Sequence, residues 1–212
     1  MRQTIFPVSV YHGVVPDNNL LKKMVIPFVE ETKDSNKLPN WFTNKVITSF
    51  GNREVEEVLN NGNNPVGEEL RKQYNKVLDS FFDDNYSVKF KGMWYNYYVD
   101  GEWQEQHDHL PEADVYGMTH FSCIHFLNYN QEIHNPVTFI DPLMNIRCHS
   151  FEMKSHNYQE KINPIINEGD LIMFPSYMPH EVKIGKPTPE YPRITISFNL
   201  QLMSYGENRN EN

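Results

Sequence analysis

The stretch Tyr191–Gln201, YPRITISFNLQ, decides the architecture, because Arg193, Thr195, Ser197 and Asn199 alternate strictly with Ile194, Ile196 and Phe198. Side chains two apart in a strand share a face, so this strand is polar on one side and apolar on the other. The polar row suggests a lined pocket; the alternative is the solvated side of an edge strand.

Working outward from it, the chain beyond Val88 holds further short runs: SVKFKGMWYNYYV, GMTHFSCIHFLNY, PVTFID, IRCHSFEM, DLIMFP and HEVKI, separated by Gly, Pro, Asn and Asp. Many short strands so punctuated imply an antiparallel sandwich or barrel. Ahead of them, TIFPVSVYHG and NKVITSFG read as strands. PDNNLLKKMVIPFVEETKD reads as an amphipathic helix capped by Asp17 and disturbed at Pro27. REVEEVLNNG is a short helix, and PVGEELRKQYNKVLDSFFDD a longer one with Pro65 at its start and a stripe of Val66, Leu70, Tyr74, Val77, Leu78 and Phe81. The fold class is therefore an all-β core with flanking helices, a double-stranded β-helix (jelly roll, cupin-like). A single domain is expected over 1–212, with supporting strands and helices in 1–87, the jelly-roll core in 88–203 and a polar, disordered tail in 204–212.

A formal charge of −9 with no cluster of Lys and Arg disfavours nucleic acid as a partner. Cys123 and Cys148, without CxxC spacing, point to a reducing compartment, as does the lack of a signal-peptide run or membrane span. A soluble cytoplasmic protein is expected, in the host cytoplasm if the gene is phage-borne.

QEQHDHLPEAD, residues 104–114, places His107 and His109 on one face of a strand and turns Asp108 away, which suits two ligands of one metal ion. His180, in FPSYMPHEV, is the candidate third ligand. Three side chains on one side of a cation leave the opposite positions open, as a catalytic metal requires. A single histidine is more often a surface or hydrogen-bonded core residue, and most of the nine read that way. His120 and His125 lie on opposite faces of their strand, so at most one faces a pocket. Arg193 carries a planar fork able to grip a carboxylate beside the metal.

These residues, from about Trp94 to Leu202, resemble the 2-oxoglutarate and Fe(II)-dependent oxygenases, particularly the prolyl-4-hydroxylase-like branch with its bacterial and phage relatives. The family stretch Tyr-x-x-Gly-x-x-x-x-x-His-x-Asp matches YVDGEWQEQHDH, which puts Tyr98 on the cosubstrate tyrosine, Gly101 on the glycine and His107 on the first iron ligand. EGDLIMFPSYMPHEV resembles the segment that carries the distal histidine, here His180. By the same resemblance Arg193 binds the far carboxylate of 2-oxoglutarate, Thr195 is the hydroxyl residue beside it, and Ser122 in FSCIHFL lines the pocket. The family's carboxylate ligand falls on His109, so the metal set is three histidines and its net charge rises by one unit. Asp108 takes that place instead if the strand ends or bulges there.

The resemblance implies Fe(II), 2-oxoglutarate as cosubstrate, O2 as oxidant, and hydroxylation of a peptidyl residue or small molecule with release of succinate and CO2. Substrate contacts are expected on the loops Asn128–Asn135 and Ser155–Pro164. The aromatics of WYNYYVDGEW are expected mainly in the core. Two rivals stay open. A three-histidine zinc or iron enzyme that does not use 2-oxoglutarate has no need of Arg193. A non-catalytic jelly-roll binding protein keeps its ligand when His107 is removed.

Overall fold

The computed structural model describes residues 8–35, 46–82, 86–110, 119–144 and 159–204. The alternating runs become ten antiparallel strands among these residues: β1 (Tyr11–Val14), β2 (Ile47–Thr48), β3 (Tyr86–Tyr98), β4 (Gln104–His107), β5 (Phe121–Asn128), β6 (Val137–Ile140), β7 (Lys161–Ile162), β8 (Asp170–Pro175), β9 (His180–Val182) and β10 (Arg193–Ser204). They form a six-stranded sheet in the order β1-β8-β5-β10-β3-β2 and a four-stranded sheet in the order β4-β9-β6-β7. The two make a double-stranded β-helix. The run IRCHSFEM and the tail beyond residue 204 lie outside the described residues.

β10 is no edge strand. It runs between β5 and β3, with Arg193 opposite Tyr98, Thr195 opposite Asn96 and Ser197 opposite Trp94. Both of its faces are buried through Leu200. The polar row of the sequence is therefore interior, which decides between the two readings of YPRITISFNLQ.

The apolar face of that strand meets the helices, α1 (Asn18–Thr32), α2 (Arg53–Asn60) and α3 (Pro65–Leu78). Each begins at a side-chain cap: Asp17 accepts from Leu20 N, Asn52 from Val55 N and Asn64 from Val66 N, with Pro65 where a missing N–H does no harm. Leu21, Val25 and Val29 of α1 and Leu70, Tyr74, Val77 and Leu78 of α3 join Ile194, Ile196, Phe198 and Leu200 in one core. Burying each such aliphatic or aromatic side chain stabilises the fold by about 1.5–3 kcal/mol. Tyr74 stacks on Phe198 with ring centroids 4.7 Å apart.

Pro27, where a disturbance is expected, lies inside α1, and the helix continues through it to Thr32. Pro27 and Lys23, whose carbonyl loses its N–H partner, both lie on the exposed face, where water can bond that carbonyl.

One buried polar cluster interrupts the helix–sheet interface. His125 is fully buried, with Nδ1 3.0 Å from Tyr74 Oη and Nε2 2.9 Å from Asn18 Oδ1. Since the amide oxygen only accepts, Nε2–H donates to it and Nδ1 accepts from the tyrosine. Burial pushes the imidazole down to about 3. Above the ordinary histidine value of about 6.5 the ring is neutral in both folded and unfolded chains and has no pH-dependent effect. As pH falls from there toward 3, the unfolded chain takes up a proton that the folded chain refuses, so stability is lost. We expect the His125→Gln variant to show a shallower decline between pH 6 and 4, by about 1.4 kcal/mol per pH unit, in urea denaturation. Parallel curves for variant and wild type would refute the buried neutral ring.

Candidate functional site

The link between β3 and β4 starts the site. Gly101 has φ +77, a left-handed conformation that glycine adopts without strain, and Glu102 N donates to Val99 O at 3.1 Å. This turn carries the chain from the larger sheet to the smaller one. Tyr98 before it then donates to Gln104 Oε1 after it, at 2.9 Å.

β4 pairs antiparallel with β9 so that His107 lies opposite His180. His109 follows β4, its backbone N–H held by Ser176 O at 2.9 Å. One ring nitrogen from each of the three histidines falls within 4.8 Å of those of the other two. Their ring centroids are 4.2 Å apart for His107 and His180, 5.2 Å for His109 and His180, and 5.4 Å for His107 and His109.

The other nitrogens are occupied. Nδ1 of His107 lies 2.8 Å from Glu105 O, Nδ1 of His180 2.9 Å from Met178 O, and Nδ1 of His109 2.8 Å from Asn199 Oδ1. Oxygens of this kind only accept, so every Nδ1 carries the hydrogen and every Nε2 keeps its lone pair. Burial lowers all three pKa values, to about 4 for His109 and well below the ordinary value for His180, and repulsion from neighbouring imidazoles deepens the fall for those two. Three neutral imidazoles held in one tautomer suit iron, zinc, copper or nickel. The residues therefore fit a divalent transition metal. Among the described residues no carboxylate belongs to the group. Asp108 Oδ1 accepts from Leu110 N at 3.1 Å, closing a local turn.

The histidines open on a cavity with about 330 Å³ of empty space, part of it open to solvent. β3 and β10 supply its paired rows, Tyr98 with Arg193, Asn96 with Thr195 and Trp94 with Ser197; Gln104, Ile124 and Val182 complete the lining. None of these is acidic. Arg193 is 2 % exposed. Its Nε donates to Asn135 O at 3.0 Å, and the guanidinium lies 4.6 Å from the centre of the Tyr98 ring. Its Nη1 is buried with no hydrogen-bond partner among the described residues. A buried guanidinium nitrogen without a partner is costly, which marks it as waiting for an acceptor. Burial also raises the Tyr98 hydroxyl to about 12, so it stays protonated.

Of the residues singled out in the sequence, His107, His109, His180, Tyr98, Arg193 and Thr195 thus surround one cavity. Ser122 does not line it. Its hydroxyl lies 2.9 Å from His109 Nδ1, because Ser122 sits opposite Asn199 in the β5–β10 register and so falls behind that ring. Sequence reasoning missed Gln104 and Asn96 as lining residues and the Asn135 carbonyl on Arg193. Asn199 was visible as the end of the polar row, though not as a partner of His109. The aromatic run divides: Tyr95 and Tyr97 enter the helix-side core, whereas Trp94 and Tyr98 line the cavity.

The remaining described histidines serve the framework. His12 meets Asp170 at 2.9 Å, His120 accepts from Leu202 N, and His134 bridges Asn130 N and Tyr191 O. His149, His156, Cys148 and residues 155–158 of the second expected substrate loop lie outside the described residues.

The fold, a jelly roll with three imidazoles converging beside a buried arginine, is similar to that of solved prolyl hydroxylases. The chain belongs to the family described as "Putative 2OG-Fe(II) oxygenase", whose model matches residues 92–199, from β3 to Asn199 in β10. Solved structures share the fold. A prolyl hydroxylase from Trichoplax adhaerens, in complex with a hypoxia inducible factor oxygen degradation domain peptide fragment, aligns at TM-score 0.58 and 14% identity over 96% of this chain and 87% of its own. EctD from S. alaskensis, with 2-oxoglutarate and 5-hydroxyectoine, aligns at TM-score 0.57 and 16% identity over 92% and 72%. A Pseudomonas putida prolyl-4-hydroxylase aligns at TM-score 0.52 and 12% identity over 92% of both chains. No curated protein matches the chain in sequence.

Proposed function

We propose that this protein is an Fe(II)- and 2-oxoglutarate-dependent dioxygenase that hydroxylates a peptidyl residue or a small molecule, with release of succinate and CO2. The observation that carries the reading is Arg193 Nη1, without a partner among the described residues, in the same cavity as three imidazole lone pairs, whose described lining holds no acid. A metal at His107, His109 and His180 adds two positive charges to a cavity that already holds one. The ligand that best complements this field is a dianion with an anionic group at each end.

Arg193 binds the far carboxylate of 2-oxoglutarate, with Tyr98 stacked against the guanidinium and Thr195 one row further in. The three histidines hold Fe(II), which when bound supplies oxygen activation coupled to decarboxylation of the cosubstrate. Trp94, Ile124 and Val182 restrict water beside the reacting centre. Two of the structural neighbours were solved with a peptide fragment and with 5-hydroxyectoine, so the fold accommodates bound molecules of both sizes. We read the whole chain as one cytoplasmic domain; among the described residues no helix is long and apolar enough to cross a membrane.

The test is an anaerobic titration of Fe(II)-loaded protein with 2-oxoglutarate, followed by admission of air. A weak visible charge-transfer band and then succinate are expected. A folded, iron-loaded sample giving neither would remove the oxygenase reading. Zinc, which has a filled d shell and no redox chemistry, should give neither signal at the same site.

A further inference from the structure

His109 is held differently from the other two imidazoles. His107 and His180 each turn Nδ1 to a backbone carbonyl two residues earlier, a purely local contact. His109 turns Nδ1 to side chains from two strands of the opposite sheet, Asn199 Oδ1 on β10 at 2.8 Å and Ser122 Oγ on β5 at 2.9 Å. Ser122 also donates to Asn199 Oδ1 at 2.9 Å and lies 3.2 Å from Ser176 Oγ. Ser122 and Asn199 are register partners, each 1 % exposed.

The direction of these bonds matters. Asn199 turns its acceptor oxygen toward residue 109, and Ser122 spends its hydrogen on that same oxygen. The pair is arranged to receive a donor, which an imidazole Nδ1–H is and a carboxylate is not. We propose that Asn199 and Ser122 are positioning residues that fix His109 in its Nδ1–H tautomer and so make a neutral imidazole the third metal ligand. The family's carboxylate is then replaced by a built unit of three residues rather than by an isolated substitution. Among the described residues no carboxylate joins the three histidines, so a divalent metal there would act on the cosubstrate with its full double charge.

This inference rests on the metal reading above, and its test separates the two. Co(II), whose visible bands report its ligands, is titrated into the full-length protein and its variants. Asn199→Leu should weaken Co(II) by about 10–100-fold, the usual effect of losing a partner of a metal-bound histidine. Asn199→Asp, which still accepts from Nδ1–H, should bind at least as tightly as wild type. Ser122→Ala, the milder change should Asn199→Leu not fold, should lose affinity several-fold. In 15N-labelled apoprotein the slowly exchanging Nδ1–H signal of His109 should persist in Asn199→Asp and disappear in Asn199→Leu. If His107→Ala and His180→Ala leave Co(II) binding intact, the metal reading itself fails. If those two abolish binding while Asn199→Leu binds like wild type, or Asn199→Asp is as weak as Asn199→Leu, the positioning role is overturned and the metal site stands.

Discussion

Fe(II) affinity should fall by roughly 10²–10³-fold when His109 is replaced by alanine, and should barely change when Asp108 becomes asparagine. The size follows from metal-binding free energies of about 10–16 kcal/mol for four-ligand sites, or about 2.5–4 kcal/mol for each ligand. The contrast follows from where the two neighbours point. His109 is buried with its Nδ1 bonded, which leaves Nε2 for the metal. Asp108 is engaged with Leu110 N in a turn that an asparagine oxygen can also close. Competition against a coloured Fe(II) chelator, done anaerobically, measures both. Normal binding by the alanine variant together with loss in the asparagine variant would restore the two-histidine, one-carboxylate arrangement that the family pattern implies. Free imidazole should partly rescue the alanine variant, since the vacated volume matches one ring.

The contrast also shows how far the sequence carries. His107, His109, His180 and Arg193 were legible as a group because each signal was local: an i, i+2 pair, a histidine opening a strand, an alternating strand with a basic residue at its head. The Asp17 cap and the Pro65 helix start were legible for the same reason. Ser122 was not, since its place behind His109 depends on a register with a strand 77 positions away. A slip of one residue would have turned its side chain to the helices. The Asn135 carbonyl on Arg193 could not be read at all, because every residue carries such an acceptor. The extent of α1 past Pro27 was not legible for a third reason: whether a helix continues through proline depends on whether the orphaned carbonyl can reach water, which is a matter of tertiary burial.

Arg193→Met should separate stability from function more sharply than any other change in the cavity. Without ligand, the wild-type fold buries a guanidinium whose Nη1 has no partner among the described residues, and burial already lowers its pKa. Methionine fills a similar volume, packs against Tyr98 and Phe126, and removes the uncompensated charge. Its losses are the hydrogen bond to Asn135 O, about 1 kcal/mol, and the guanidinium's polar contacts with Tyr98 and Phe126. Replacing buried ionic groups by apolar ones is often neutral or stabilising by about 1–4 kcal/mol, so the apoprotein should be at least as stable in urea as the wild type. Binding of 2-oxoglutarate should move the other way. A ligand carboxylate deprived of its buried charged partner loses about 2–5 kcal/mol, roughly 30- to several-thousand-fold in affinity. Fe(II) binding, set by the histidines, should hold near the wild-type value. If iron and cosubstrate affinities fall together, or if the apoprotein is destabilised by several kcal/mol, Arg193 is a framework residue. The cavity would then have no reserved place for a second carboxylate.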